Sequence, residues 1–138
     1  MAITQITSGQ KDWLSVLNND LSQIGDKVAT TVYPVTLTNG WKGSLTCNSW
    51  KIGSHWLSIV SGWLSGKDVT PNQDVEFATM PSGAPSHLFS NYIYPQRESI
   101  IGDISTTTDS SGMVHLRMYI PGSVYSGPTL NVFALEIW

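Results

Sequence analysis

The chain has 138 residues, a length that suits one main domain with a smaller appendage. Its net charge is −3 and only 12% of its residues are charged, against about 25% in a typical soluble domain. The seven basic residues are scattered and do not form a phosphate-binding stripe, so we expect no nucleic-acid partner. No stretch approaches the roughly 20 apolar residues of a membrane span, so we expect no membrane insertion.

The first predicted element is a helix from about Gln10 to Ile24, preceded by a short arm. The sequence Thr7-Ser8-Gly9-Gln10 fits a capping box, with threonine at the cap and glutamine three residues later. We predict that residues 1–30 form an N-terminal arm and a trimerising helix. Apolar residues in this segment recur at alternating spacings of three and four, the pattern of a coiled-coil seam: Leu14, Leu17, Leu21, Ile24 and Val28.

Two interpretations of this helix stay open. In the first, it is an amphipathic helix that lies on its own β-domain. In the second, its seam packs against other copies of the chain, and the narrowness of the apolar stripe favours this interpretation. The leucine and isoleucine pattern favours three or more chains over two. Because two heptads are fewer than normally needed, the β-domains must contribute to assembly.

From Tyr33 onward the sequence alternates apolar and polar residues over short runs that end at turn residues. This pattern predicts an antiparallel β-sandwich or jelly-roll-like head over residues 31–138, with about eight strands. Asn39-Gly40 is a strong hairpin signal between the first two strands. The predicted strands are Tyr33–Leu37, Trp41–Cys47 with Trp50–Ile52, His55–Leu64, Gln73–Met80, Ser86–Tyr94, Ser99–Thr106, Met113–Ile120 and Leu130–Trp138.

Alternation also assigns faces within two of these strands. In the last strand, Phe133 shares one face with Leu135 and Ile137, and Glu136 lies on the other. In Met113–Ile120, the polar residues and the tyrosine point away from the core. The residues predicted to lie inside are Val114, Leu116, Met118 and Ile120, and those predicted to point away are His115, Arg117 and Tyr119.

The residues do not form a catalytic or metal-binding pattern. Neighbouring acidic residues such as Asp74 and Glu76 lie near turns, where turn formation and solvation account for them. No serine occurs in a G-x-S-x-G motif, and the three histidines lack metal-ligand spacing. Cys47 is alone, which excludes an intrachain disulfide and a cysteine-based metal cluster. We therefore expect no enzymatic activity, no metal and no cofactor. A metal on the three-fold axis of a trimer stays open as an alternative.

Six tryptophans are many for this length, and tryptophan both packs in cores and stacks on sugar rings. A saccharide site needs exposed rings beside polar groups that bind vicinal hydroxyls. For each candidate tryptophan, packing in the core is the alternative. Arg117 is a further candidate, whose alternative is an ion pair with Glu136. The main candidates for glycan binding are Trp41, Trp63, Tyr94, Arg97, Asp103 and His115.

Several short motifs follow the predicted helix in one order. They are Leu37-Thr38-Asn39-Gly40-Trp41, Lys51-Ile52-Gly53, Ala78-Thr79-Met80-Pro81-Ser82-Gly83 and Thr108-Asp109-Ser110-Ser111-Gly112. In this order, and over essentially the whole chain, the sequence resembles the receptor-binding head proteins at the tail tip or baseplate of phages infecting Gram-positive, lactic-acid-type bacteria. None of these motifs is a catalytic signature.

The resemblance implies a homotrimer with a helical stalk and a β-sandwich head that binds host cell-wall polysaccharide. It also implies other tail or baseplate proteins as partners and a place in the virion, after synthesis in the bacterial host cytoplasm. Two further functions stay open. One is a structural tail component that docks on another virion protein without binding glycan, and the other is a lectin-like or wall-degrading domain.

Overall fold

The computed structural model describes residues 15–18, 28–95, 102–122 and 126–137. Within these ranges, residues 15–18 form one α-helical turn and nine strands form the rest of the regular structure. The strands are β1 (Val28–Tyr33), β2 (Thr36–Leu37), β3 (Lys42–Ile52), β4 (His55–Ser65), β5 (Asp74–Met80), β6 (Phe89–Pro95), β7 (Asp103–Thr108), β8 (Val114–Tyr119) and β9 (Leu130–Ile137).

The strands form two sheets that pack on one hydrophobic core. Sheet A has five strands in the order β1-β3-β4-β9-β6, and sheet B has four in the order β2-β5-β8-β7. Every strand pair in the described part of the chain is antiparallel. The predicted mainly-β architecture, with antiparallel strands in a sandwich, is therefore confirmed.

Alternating side chains from both sheets fill the space between them. In β8, Val114, Leu116 and Met118 are each at most 1% exposed, as predicted, and Ile120 beyond the strand is 1% exposed. From sheet A, β9 contributes Leu130, which is fully buried. Because full burial of an aliphatic side chain stabilises by about 1.5–3 kcal/mol, this shared layer is what holds the two sheets together.

The turn at Asn39-Gly40 forms, but it does not close the predicted hairpin. Its two residues have positive φ angles of 54° and 81°, and the Trp41 N–H donates to the Thr38 carbonyl at 3.1 Å. Before the turn, β2 pairs with β5 in sheet B; after it, β3 pairs with β1 and β4 in sheet A. The turn therefore carries the chain from one sheet to the other. The predicted first strand is also divided, at Pro34, which cannot donate a ladder hydrogen bond.

The predicted N-terminal seam falls mostly outside the described residues, which do not include Leu14, Leu21 and Ile24. Leu17 lies in the helical turn and is 36% exposed. Val28, predicted as the last seam residue, instead begins β1 and pairs with Ile52. β1 thus crosses the predicted boundary at residue 30, because the extended chain gains a ladder of hydrogen bonds at the edge of sheet A. Trimerisation through the seam stays a prediction.

One polar row is buried between the sheets. Ser49 on β3, Ser58 on β4 and Glu136 on β9 stand side by side in register and are at most 5% exposed. The two serine hydroxyls hydrogen bond at 2.7 Å, and the Glu136 carboxylate accepts the His87 backbone N–H at 3.0 Å. Glu136 and Phe133 lie on opposite faces, as predicted, but the face that carries Glu136 is the one toward the core.

Candidate functional site

The outer face of sheet B is polar, and we call it the charged face. Because the inward residues of β8 are buried, His115, Arg117 and Tyr119 point outward. The edge strand β7 places its own polar residues beside them in antiparallel register. The charged face consists of Asp74, Glu76, Asp103, Ser105, Thr107, Asp109, His115, Arg117 and Tyr119.

A histidine between two carboxylates lies at one end of the charged face. His115 Nδ1 lies 2.9 Å from Glu76 Oε2, and His115 Nε2 lies 3.3 Å from Asp109 Oδ2. Glu76 also accepts a hydrogen bond from Thr38 Oγ1 at 3.1 Å, which orients its carboxylate. The hydrogen bond to Glu76, and then the one to Asp109, raise the pKa of His115 above 6.5. The His115 side chain thus links β5, β8 and the turn between β7 and β8.

Asp109 organises that turn. Its Oδ1 accepts the backbone N–H groups of Ser111 at 2.8 Å and Met113 at 3.0 Å, and the Ser111 hydroxyl at 2.7 Å. The Ser111 hydroxyl and then the His115 ring lower the pKa of Asp109 to about 2. The carboxylate is therefore ionised near neutral pH and serves the local backbone, as aspartates in turns commonly do.

Arg117 pairs with Asp74 and not with Glu136, the alternative partner expected from the sequence. Its Nε donates to Asp74 Oδ2 at 2.7 Å, and its Nη2 donates to the Asp74 carbonyl at 3.0 Å. Glu136 cannot serve because its carboxylate lies inside the core. Beside this pair, Tyr119 is 40% exposed, and its hydroxyl donates to Asn72 Oδ1 at 3.4 Å.

These neighbours offer the groups that a saccharide site uses. Tyr119 presents an exposed ring for stacking, and Asp103 lies opposite it in register. Arg117, one step along β8, has five N–H donors, of which Asp74 takes two. Tyr119 was absent from the predicted rings, although the alternation of β8 had already turned it outward. That alternation was the sequence signal that could have found it.

The outer face of sheet A is apolar, and we call it the apolar face. On β4 and β9, Trp63 is 45% exposed and Phe133 is 37% exposed. Toward the edge strands, Val32 is 64% exposed and Ile52 is 57% exposed. The polar residues interspersed on these strands include Asn48, Ser61 and Asn131, which are uncharged. The apolar face consists of Val32, Trp50, Ile52, Leu57, Ile59, Trp63, Tyr92, Phe133, Leu135 and Ile137. Apolar patches beyond roughly a few hundred Å² usually mark interaction surfaces.

The three predicted aromatic residues lie in different parts of the fold. Trp41 is 6% exposed and packs in the core, which was the alternative to glycan binding for this residue. Its ring is therefore not available for stacking on a sugar. Trp63 lies on the apolar face and pairs with Asn131 on β9. Tyr94 on β6 pairs with the same asparagine, so its backbone lies two strands from Trp63.

Two of the three predicted polar residues are described by the structure. Asp103 and His115 are both on the charged face, on neighbouring strands and four residues apart in register, which corresponds to about 13 Å along the strands. Arg97 lies outside the described residues. Trp63 and His115 are on opposite sides of the sandwich, so one site within a single chain cannot contain both.

The described residues include no group of three or more His, Cys, Asp or Glu side chains placed to hold a metal ion. Within the same part of the chain, no helix has the length and apolar character needed to cross a membrane.

The two-sheet antiparallel fold matches that of a phage receptor-binding protein. The solved structure that shows this is the crystal structure of the receptor binding protein (gp15) of Listeria phage PSA, with a TM-score of 0.58 and 19% sequence identity. The similarity covers 97% of this chain and 80% of that chain. Comparisons with protein-family models and with curated proteins give no match. The resemblance stated from the sequence is therefore supported in its fold, and its host range stays a prediction.

Proposed function

We propose that this chain is a phage receptor-binding protein that attaches the virion to a saccharide on the host cell surface. The observation that carries the proposal is the structural similarity to the Listeria phage receptor binding protein over 97% of the chain. The order of motifs along the sequence points to the same class of protein. In this role the protein sits at the tail tip or baseplate and contacts other tail proteins.

The apolar face supports the second part of the proposal, a homotrimer. Apolar surface removed from water contributes about 25 cal/mol per Å², and Val32, Ile52 and Phe133 are exposed when the chain is alone. The polar residues in the middle of this face are uncharged, and Lys42 and His55 lie at the two ends of the β3–β4 hairpin. A second and third copy of the chain can therefore cover the middle of this face without burying an unpaired charge. The seam from Leu14 to Ile24 would add a separate contact between the same copies.

Assembly through the apolar face leaves the charged face in solvent, where a saccharide can reach it. Tyr119, Arg117 and Asp103 supply a ring, hydrogen-bond donors and a carboxylate within neighbouring register positions. A site this open binds a single ligand weakly. Three such sites bind a polymer strongly when their geometry lets them engage together.

We propose that the protein has no hydrolytic activity. A glycosidase needs one carboxylic acid that stays protonated near neutral pH, and this requires an enclosed, desolvated pocket. Among the acidic residues of the charged face, Asp109 has the opposite property, since its pKa is lowered to about 2. Glu76 is held by His115 and Thr38.

Adsorption to host cells and binding of purified wall polysaccharide test the proposal. We expect Asp103→Ala and Arg117→Ala to reduce adsorption, because both remove polar groups from the charged face. Trp63→Ala tests the predicted residue on the apolar face, and Arg97→Ala tests the predicted residue outside the described part of the chain. Ser54→Ala, at the exposed tip of the β3–β4 hairpin, is the matched control.

The outcomes separate the parts of the proposal. If the folded wild-type protein binds no host wall polysaccharide, the proposed function is wrong. If it binds and all four variants bind as tightly as the control, the function stands but the assigned site is wrong. Loss of adsorption in Trp63→Ala alone would move the site to the apolar face.

The apolar face also favours a second candidate, a structural tail component that docks this face on another virion protein. That function predicts a monomer in isolation and no binding of wall polysaccharide. The third candidate, a wall-degrading domain, predicts release of reducing sugar from host wall by the pure protein. Light scattering and a reducing-sugar assay on one preparation therefore distinguish all three.

A further inference from the structure

A groove runs along the edge of sheet B beside β7, and we call it the edge groove. Its volume is about 690 Å³, within the range of about 300–1,000 Å³ that is typical of ligand sites. One wall is the segment 86–88, which leads into β6, and the other is formed by residues 104–106 and 108 of β7. The saccharide site proposed above lies on the outer face of sheet B and does not extend into this groove.

The hydrogen bonds of the β7–β8 hairpin show which way the backbone of β7 points. The Asp109 N–H donates to the Met113 carbonyl at 3.0 Å. Hydrogen-bonded pairs alternate with non-hydrogen-bonded pairs along an antiparallel ladder, and the register is regular throughout Asp103–Thr108. The odd-numbered residues of β7 therefore exchange hydrogen bonds with β8. The even-numbered residues, Thr106 and Thr108 among them, direct their N–H and C=O groups away from β8.

Gly102, directly before β7, shows the same direction and what this edge can bind. Its N–H donates to the Ile93 carbonyl at 2.7 Å, and its carbonyl accepts the Ile93 N–H at 3.2 Å. At this position a strand of sheet A thus pairs with the edge of sheet B. Beyond it the two strands separate, because β6 follows sheet A and β7 follows sheet B.

The edge is open where the strands have separated. The backbone N–H and C=O groups of Thr106 and Thr108 have no hydrogen-bond partner among the described residues. These groups repeat every two residues, or about 6.7 Å along the strand. Another β-strand offers complementary groups at the same repeat, so such an edge is a template for an extended chain.

β7 lacks the features that usually prevent pairing at a sheet edge. Natural edge strands are often very short, bulged, or interrupted by proline or lysine. The edge strand β2 has only two residues, and β6 shifts register between Phe89 and Tyr92 and ends at Pro95. β7 has six residues in regular register, without proline or lysine. The edge strand β1 is also unprotected, but it adjoins the apolar face, which the proposed homotrimer covers.

We propose that the edge groove binds an extended peptide, which adds to β7 as a fifth strand of sheet B. The peptide backbone completes the N–H and C=O groups of Thr106 and Thr108. Every second side chain of the peptide faces the inner side of the sheet, where Leu88 and Ile104 line the groove, so apolar residues suit these positions. The proposal rests on the proposed function only for the source of the peptide, which is another tail protein.

The charge of the peptide follows from the residues on the outer side of β7. There the remaining side chains of the peptide lie beside Ser105 and Thr107, and diagonal neighbours across a strand pair interact. The residues diagonal to these two positions are Asp103 and Asp109. Asp103 has no ion-pair partner among the described residues. Two carboxylates at these points select lysine or arginine.

Amide hydrogen exchange, measured by NMR on the folded protein, tests the edge directly. In the free protein we expect fast exchange at Thr106 and Thr108 and slow exchange at Thr107, whose N–H is paired with β8. The probe is a short peptide of alternating lysine and valine, and we expect it to slow exchange at Thr106 and Thr108. The same peptide with methylated backbone nitrogens, and a peptide of alternating glutamate and valine, are controls that should have no effect.

Two variants separate recognition of the backbone from recognition of the hydroxyl groups. Thr108→Pro removes an N–H that faces the groove and removes no bond to β8, and proline is tolerated at such edge positions. We expect it to weaken peptide binding about tenfold or more. Thr108→Val is the matched control, because it keeps the N–H and the β-branched shape, and it should bind the peptide as the wild type does. The methylated peptide makes the same comparison on the wild-type protein, so the test does not depend on the folding of Thr108→Pro.

Three results would overturn the proposal. The first is exchange at Thr106 and Thr108 that stays fast with the lysine–valine peptide. The second is slow exchange at both residues in the free protein, because a segment of the chain itself would then pair with the edge. The third is equal loss of binding in Thr108→Val and Thr108→Pro, since the groove would then recognise hydroxyl groups, as a saccharide site does.

Binding of host wall polysaccharide separates this proposal from the proposed function. Thr108 does not belong to the charged face, so we expect Thr108→Pro to bind the polysaccharide as tightly as the wild type. A wild-type protein that binds the peptide but no polysaccharide would contradict the proposed function and support the peptide site. A wild-type protein that binds the polysaccharide but not the peptide would do the reverse.

Discussion

The outer faces of sheets A and B follow the same strand alternation but have opposite chemistry. On the charged face, Arg117 pairs with Asp74, and His115 lies between Glu76 and Asp109. On the apolar face, side chains as large as tryptophan and phenylalanine remain exposed. Several charged groups of the first face are paired with one another within the chain. The second face combines large apolar side chains that the described residues leave partly exposed, and such surfaces are common at interfaces.

The comparison also explains why so few residues of this chain are charged. A sandwich with two solvated faces alternates apolar and polar residues on every strand. Here the five strands of sheet A carry Lys42, Lys51 and Glu136, whereas the four shorter strands of sheet B carry Asp74, Glu76, Asp103 and Arg117. The low charge is therefore most marked in the larger sheet.

The largest expected effect comes from a charge placed on the apolar face. Phe133→Asp puts one carboxylate per copy into a surface that we propose is buried, and an uncompensated buried charge costs about 3–5 kcal/mol. We expect dissociation to the 15.1 kDa chain at micromolar concentration, measured by light scattering. Ser105→Asp on the charged face is the matched control and should leave the mass unchanged. A Phe133→Asp protein that keeps the wild-type mass would show that the apolar face is not the interface.

A smaller effect is expected from the N-terminal seam. Leu21→Asp places charges around the predicted helical axis, but a seam of two heptads is too short to dominate assembly. We expect this variant to dissociate at a higher concentration than the wild type does, but to stay assembled at concentrations where Phe133→Asp is dissociated, measured by sedimentation across a dilution series. Dissociation as complete as that of Phe133→Asp would mean that the helix, and not the head, holds the copies together.

The charged face predicts a pH-dependent effect on stability. Because the pKa of His115 is raised in the folded protein, its stabilising contribution is fully present below the unfolded pKa of about 6.5 and is lost as pH rises through the folded pKa. We expect the difference in Tm between wild type and His115→Gln to be largest near pH 5 and to shrink toward pH 8. The effect should be small, since water screens these exposed groups. A difference that grows with pH would contradict the raised pKa of His115.

The smallest expected effect is on the reactivity of Cys47, which lies in the core between the two sheets. Cys47 is fully buried, and burial followed by the nearby charge of Glu136 raises the pKa of its thiol to about 11. We expect no labelling by a thiol reagent at neutral pH, and full labelling in denaturant. The same result for Phe133→Asp would show that the sandwich stays closed when the copies separate. Rapid labelling of the native wild type would mean that the core opens.

Much of the fold could be predicted because it depends on local patterns. The inward set of β8 followed from alternation alone, and the turn at Gly53-Ser54 between β3 and β4 followed from turn chemistry. The partner strand of β2 could not be predicted from a local pattern. The Asn39-Gly40 turn can join two strands of one sheet or connect two sheets, and its sequence is the same in both cases. That choice is made by β5, which is remote in sequence and offers the Phe77 carbonyl to the Thr38 N–H at 2.9 Å.

The candidate site was less predictable for the same reason. His115 could be assigned to an outward face, but Glu76, its partner at 2.9 Å, is 39 residues away. Glu136 was placed on the correct side of its strand, yet a carboxylate was not expected to face the core. The exposure of Trp63 and the burial of Trp41 depend on which sheet face each ring joins. None of these outcomes is encoded within a few residues of the side chain concerned.

Two glycines in the β3–β4 ribbon set a limit on how this sequence can diverge. Gly43 and Gly62 have φ angles of 142° and 146°. A methyl group at Gly43 would collide with the Trp63 carbonyl, and one at Gly62 with the Ser44 carbonyl. An alanine is therefore excluded at both positions by backbone conformation and by space. In a saturation library we expect substitutions to be tolerated at Ser44 and Trp63 but not at Gly43 and Gly62. The surface of the ribbon can therefore change while the close backbone contact between β3 and β4 at the two glycines is kept.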